Sequence, residues 1–180
     1  MKVRADHDRV RDRLCELEVQ SVGTVRQIDT YYDHPTRAFG ETDEALRIRR
    51  ETADETAETK VTYKGPLLEA ESKTRTELET TVGSEKTFAA ILEKLGFEPA
   101  ATVEKTRERF EYQEYTISLD TVSGLGEFLE VETDAAVIEP AREGAIDVLD
   151  RLGFDADEQI LTPYLGLLPE SDFLLVTTSL

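Results

Sequence analysis

Arginine and lysine recur at alternate positions in several short stretches of this chain, and each stretch reads as a β-strand. In "EALRIRRE", residues 44–51, Arg47 and Arg49 fall on one side and Leu46 and Ile48 on the other, because successive side chains of a strand point to opposite faces. "TKVTYKGP" sets Lys60 and Lys64 against Val61 and Tyr63, "KTRTELE" aligns Arg75, Glu77 and Glu79, and "VEKTRERF" aligns Lys105, Arg107 and Arg109. Further on, "ISLD" separates Asp120 from Ile117 and Leu119, and "FLEVE" separates Glu130 and Glu132 from Leu129 and Val131. One such strand is ordinary, an edge strand with a wet face. Six that share the pattern call for a common cause. Guanidinium and ammonium groups grip phosphate oxygens, and carboxylates hold hard cations such as Mg²⁺ or Mn²⁺, so a polyphosphate carried with a divalent metal suits both kinds of charge. Four of the seven lysines lie on these faces, counting Lys2.

The elements that must present these faces are strands with helices over their apolar sides. Asp6 can cap a helix carrying Val10, Leu14 and Leu17; Ser84 precedes Phe88, Ile91, Leu92 and Leu95, with Gly96 as the stop; a third helix starts at Pro140 and buries Ile146, Leu149 and Leu152 before Gly153. Period-two alternation predicts strands at about 2–5, 22–33, 45–51, 59–65, 73–82, 101–112, 114–121 and 127–134. "LCELEVQSVGTVRQIDTYY" and "LEKLGFEPAATVEKTRERF" both run from a helix end through a turn into a long strand, which makes a duplicated β-α-β-β-β half plausible. Eight antiparallel strands can close so that the charged faces line the interior. The expected fold is therefore α+β, an eight-stranded antiparallel barrel around a polar tunnel with helices packed outside. Burying so many ions costs several kcal/mol each unless they pair, stay hydrated or meet a ligand.

A length of 180 residues without a Pro/Gly/Ser-rich linker predicts one domain over 1–168, with 169–180 as a tail. The net charge of −18 argues against nucleic acid and anionic membranes as partners, and the excess of Asp and Glu suggests adaptation to high internal salt. Cys15 is the only cysteine, so an intramolecular disulfide is excluded; near the apolar face of the first helix it reads as a buried structural thiol. With no apolar signal-peptide core and no membrane-length apolar run, a cytoplasmic protein is expected. His7 and His34 lack a Ser or Cys partner in any evident triad, and "GLG" at 124–126 reads as a hairpin turn.

Taken in order, "IDTYYDHPTRAFGETDEALRIRRE", "TYKGP", "VEKTRERF" and "SLDTVSGLGEFLEVE" resemble the CYTH superfamily, the triphosphate tunnel metalloenzymes, and most of all its class IV adenylyl cyclase branch. The resemblance implies a tunnel barrel, a triphosphate-bearing substrate and divalent metal. By position it implies phosphate binding by Arg47, Arg49, Lys60, Lys64, Arg75, Lys105 and Arg107, with Lys2, Arg47, Arg49 and Lys64 nearest the chemistry. It implies metal binding by Asp120, Glu130 and Glu132, and either metal binding or pairing with bases by Glu77 and Glu79. Asp29 and Tyr31 lie in the DTYYD motif, where a structural role carries at least equal weight. The family's opening ExExK is represented only by its final lysine, Lys2, and its Arg-Ser-Tyr ending is matched most clearly by Tyr164.

Three functions share these walls. A cyclase would turn ATP into cyclic AMP and pyrophosphate, a thiamine or inorganic triphosphatase would send water to the γ-phosphorus, and a non-catalytic protein would only bind polyphosphate or nucleotide. The resemblance favours the first, whereas periodicity and spacing do not separate them. Association as a homodimer is left open.

Overall fold

The computed structural model describes residues 1–69, 74–133 and 138–169. The order of elements is β1 (Lys2–Arg4), α1 (His7–Glu16), β2 (Ser21–Asp33), α2 (Phe39–Thr42), β3 (Ala45–Ala53), β4 (Thr56–Glu69), β5 (Thr74–Thr81), α3 (Glu85–Lys94), β6 (Glu98–Tyr112), β7 (Tyr115–Val122), β8 (Gly126–Glu132), α4 (Ile138–Arg151), a 3₁₀ turn (Ala156–Glu158) and α5 (Tyr164–Leu167). The strands form one eight-stranded sheet in the order β1-β8-β7-β6-β2-β3-β4-β5. Its pairings β1 with β8, β8 with β7, β7 with β6, β2 with β3, β3 with β4 and β4 with β5 are all antiparallel. Among the described residues the order ends at β1 and β5, so the expected closure into a barrel is not part of the observed pairing.

Two compact units divide the chain, Met1–Val25 with Lys105–Leu167, and Arg26–Glu104 with Leu168–Leu180. From residue 170 on, the expected tail lies outside the described residues. Among the described residues no helix is long and apolar enough to cross a membrane.

In the first unit, α1 and α4 supply the apolar cover. Asp6 caps α1 by accepting a hydrogen bond from the Arg9 amide, and Val10 and Leu14 recur at helical spacing on the buried side. They join Val3, Ile117, Leu119, Leu129 and Val131 from the strands and Val148, Leu149 and Leu152 from α4 in one core. Each such side chain contributes about 1.5–3 kcal/mol on burial. Cys15 follows Leu14 by one residue, a rotation of about 100°, and that step makes it exposed instead of buried as expected. Ile146 is likewise only half-buried, one position from Ala145, which takes the core place.

In the second unit, Ser84 caps α3 through the Thr87 amide, and Leu92 packs with Tyr32, Ile48 and Val61. Ile91 and Leu95, expected on the buried stripe, are exposed, because this short helix lays only the Phe88–Leu92 side on the sheet. Strand β3 pairs with β2 on one side and β4 on the other, so Arg47 and Arg49 lie on an interior strand and the edge-strand reading fails. Strand β4 runs well beyond the predicted 59–65. It passes Pro66, which has no N–H to give the ladder, through register shifts opposite β5.

Candidate functional site

Each unit gathers charge on the face opposite its core. In the first, β6 presents Lys105 and Arg107 across from Asp120 of β7 and beside Glu130 and Glu132 of β8. Asp120 is fully buried. Arg107 donates through Nε to Asp120 Oδ1 at 2.6 Å and through Nη2 to Oδ2 at 2.5 Å, and Lys105 Nζ reaches Oδ2 at 3.1 Å. Arg107 also pairs with Glu130 and lies 3.6 Å from Glu132. Burial works against charge on both partners, but the hydrogen bonds and opposite charges outweigh it. Asp120 is held below the usual carboxylate range and Arg107 above its ordinary value.

Tyr164 of α5 sits on this cluster, its hydroxyl donating to Asp120 Oδ2 at 3.0 Å. Burial first, then the charges of Glu130 and Asp120, raise its pKa, which keeps it a phenol. Lys2 is buried in β1 opposite Glu130 and donates to the Thr162 carbonyl at 2.5 Å.

The second unit repeats the theme with polarity exchanged. Asp29 of β2 is directly opposite Arg49 of β3, just as Arg107 of β6 is directly opposite Asp120 of β7. Arg49 grips Asp29 through Nε at 2.6 Å and Nη2 at 2.7 Å. Arg47 is less well served: it reaches Asp29 at 3.5 Å and Thr62 Oγ1 at 3.3 Å, and its buried Nε has no acceptor. Beside it, Lys64 pairs with Glu77 at 3.0 Å, and Lys60 lies 3.7 Å from Glu79 and 3.6 Å from Glu58. Glu79 also accepts from Thr62 Oγ1 at 2.9 Å. Tyr31 lies against this group, its pKa raised by burial and by Asp29.

Thus the predicted residues fall into two groups, Lys2, Lys105, Arg107, Asp120, Glu130 and Glu132 in one unit and Arg47, Arg49, Lys60, Lys64, Glu77 and Glu79 in the other. Arg75 stands apart, with Nη1 donating to the Asp43 carbonyl at 2.9 Å and Nη2 to its carboxylate at 2.7 Å. Asp29 proves to be the anchor of two arginines; the alternation of β2, which puts it on the side of Gln27, was the available signal. Thr62 carried no signal, since a threonine in a strand is unremarkable.

For a divalent metal, the donors are of the right chemistry, carboxylate oxygens suited to a hard cation. Glu130 and Glu132, two carboxylates on one face of one strand, fit only by giving up Arg107, which pairs with Glu130 and lies 3.6 Å from Glu132. Asp120 fits poorly because Lys105, Arg107 and Tyr164 already take its oxygens. Among the described residues no group of three or more His, Cys, Asp or Glu side chains is arranged to hold a metal ion.

Comparison with known proteins agrees with this architecture. The CYTH domain family model matches residues 1–164. A protein of Methanocaldococcus jannaschii named "Putative adenylate cyclase" is 36% identical over 165 residues, covering 90% of this chain and 92% of its own. A solved structure from Pyrococcus horikoshii OT3 is 34% identical with a TM-score of 0.78, covering 94% of this chain and 97% of its own. A Hippeastrum structure, described as a "Putative adenylyl cyclase" that "reveals a dominant" triphosphatase activity, shares the fold at a TM-score of 0.66 and 14% identity, covering 95% of this chain and 97% of its own.

Proposed function

The chain belongs to the CYTH domain family, and we propose that it is an enzyme acting on the triphosphate of a nucleotide, converting ATP to cyclic AMP and pyrophosphate in the manner of class IV adenylyl cyclases. The observation that carries this reading is Arg47. A buried guanidinium nitrogen without an acceptor costs about 1–3 kcal/mol, and a phosphate oxygen is the ligand that would recover it. Arg47 is flanked by Arg49, Lys60 and Lys64, whose lysine partners Glu77 and Glu79 are half-exposed and so exchangeable for phosphate at small cost.

In this reading Arg47, Arg49, Lys60 and Lys64 are the phosphate-binding bases of one unit, and Lys2, Lys105 and Arg107 are those of the other. Asp29 and Asp120 keep the guanidinium planes aimed and their charge permanent, so stabilisation of the developing phosphate charge needs little reorganisation. A bound Mg²⁺ or Mn²⁺, held by Glu130 and Glu132, would lower the pKa of the attacking hydroxyl and screen the phosphates. The protein's own part is to bind, align and neutralise. A triphosphatase would use the same walls with water as nucleophile, and the Hippeastrum protein's described activity keeps that second reading in view.

A product assay decides between them. ATP incubated with Mg²⁺ or Mn²⁺ should yield cyclic AMP and pyrophosphate in equal amounts. ADP and phosphate would make the chain a triphosphatase, and tight ATP binding without turnover would make it a binder.

A further inference from the structure

The ring of Tyr164 carries two cations. Lys2 Nζ lies 4.3 Å and Lys105 Nζ 4.9 Å from its centroid, and Phe128 meets it edge-on at 4.9 Å and 67°. Both ammonium groups are buried, where the attraction of a cation to the face of an aromatic ring is strongest because water does not compete. The segment leading to the ring is tied to the same strand: the Ile160 amide donates to the Lys2 carbonyl at 2.7 Å, and the Thr162 carbonyl accepts from Lys2 Nζ. Pro163 fixes φ at the entry to α5, just before the ring.

We propose that Tyr164 is a positioning residue, its ring face holding the ammonium groups of Lys2 and Lys105 in place for the substrate's phosphates while its hydroxyl fixes Asp120. The inference rests on the triphosphate reading above. An ammonium ion needs none of its three donors for the ring face, so the contact with Tyr164 adds to the bonds that Lys2 makes to the Thr162 carbonyl and Lys105 to Asp120 and takes no N–H group from either. Without the ring, each lysine is held at its Nζ by hydrogen bonds that it must exchange for phosphate, and its four-carbon chain is ordered at that moment at a cost in affinity.

The test separates the ring's electrons from its shape. Phenylalanine, 4-fluoro-, 3,5-difluoro- and 3,4,5-trifluorophenylalanine are placed at position 164 of the full chain, and tripolyphosphate binding is measured by calorimetry beside the parent. Fluorine drains the ring face with little change in volume, so melting temperatures should agree across the series. The dissociation constant should rise with each fluorine, reaching about threefold to tenfold over the phenylalanine variant, the range expected for a cation–ring contact. A flat series, or one in which affinity rises, overturns the positioning role while leaving the triphosphate reading intact. A parent that binds no tripolyphosphate overturns that reading, and the positioning role with it.

Discussion

Two arginines on one strand, Arg47 and Arg49, differ in what they hold. Arg49 is committed to Asp29 by two short bonds, and Arg47 has only long ones and an idle Nε. Arg47→Ala should therefore weaken ATP binding by about 1.5–3 kcal/mol in a calorimetric titration while leaving the fold intact, since Asp29 keeps Arg49. Undiminished affinity would remove Arg47 from the site. Asp120 is the opposite case. Its replacement by Asn leaves Lys105 and Arg107 buried without their main counter-charge, and breaking such a pair costs about 3–5 kcal/mol, read as a lowered denaturation midpoint at neutral pH. Because folding depresses its pKa, its contribution is complete above the unfolded carboxylate value of about 3.9 and is lost as pH falls below that through the folded value. The parent's stability should thus carry an acid-side fall that Asp120→Asn lacks. Both aspartates show what one-dimensional reading misses: alternation puts a carboxylate on a face, but which base it meets depends on register with another strand.

At the scale of elements, helix caps and strand alternation were almost wholly legible. Asp6 and Ser84 start helices as expected, and the two glycines of "GLG" make the β7–β8 turn with positive φ at Gly124 and Gly126. The two helix exits also correspond, with Glu18 and Gly96 each taking positive φ directly after the caps Leu17 and Leu95. The short helices α2 and α5 gave no signal, because four residues span barely one turn and cannot show a period. Nor could the sequence show why α4 carries Gly144. A Cβ there would lie 1.9 Å from the Tyr115 hydroxyl oxygen, which donates to the Ala141 carbonyl at 3.2 Å. Glycine is a poor helix former, so propensity alone predicts that Gly144→Ala stabilises by about 1 kcal/mol. The contact predicts instead a loss of about 1–3 kcal/mol, visible as a lower melting temperature.

For the molecule as a whole, a formal charge of −18 on 180 residues repels itself, and screening should relieve that repulsion. The melting temperature should therefore rise from dilute buffer to molar KCl, while tripolyphosphate affinity falls over the same range; a melting temperature that drops as salt is added would count against the high-salt reading of the composition. The buried pairs Asp29 with Arg49 and Asp120 with Arg107 are shielded from that screening. A cross-strand pair such as Asp29 with Arg49 or Arg107 with Asp120 is equally attractive whichever strand supplies the acid. Stability is blind to that choice, so acid and base can be exchanged between two paired strands by two compensating changes. An approaching anion is not blind to it. The exchange alters which strand offers the base, so two sheets of equal stability present different charge to it.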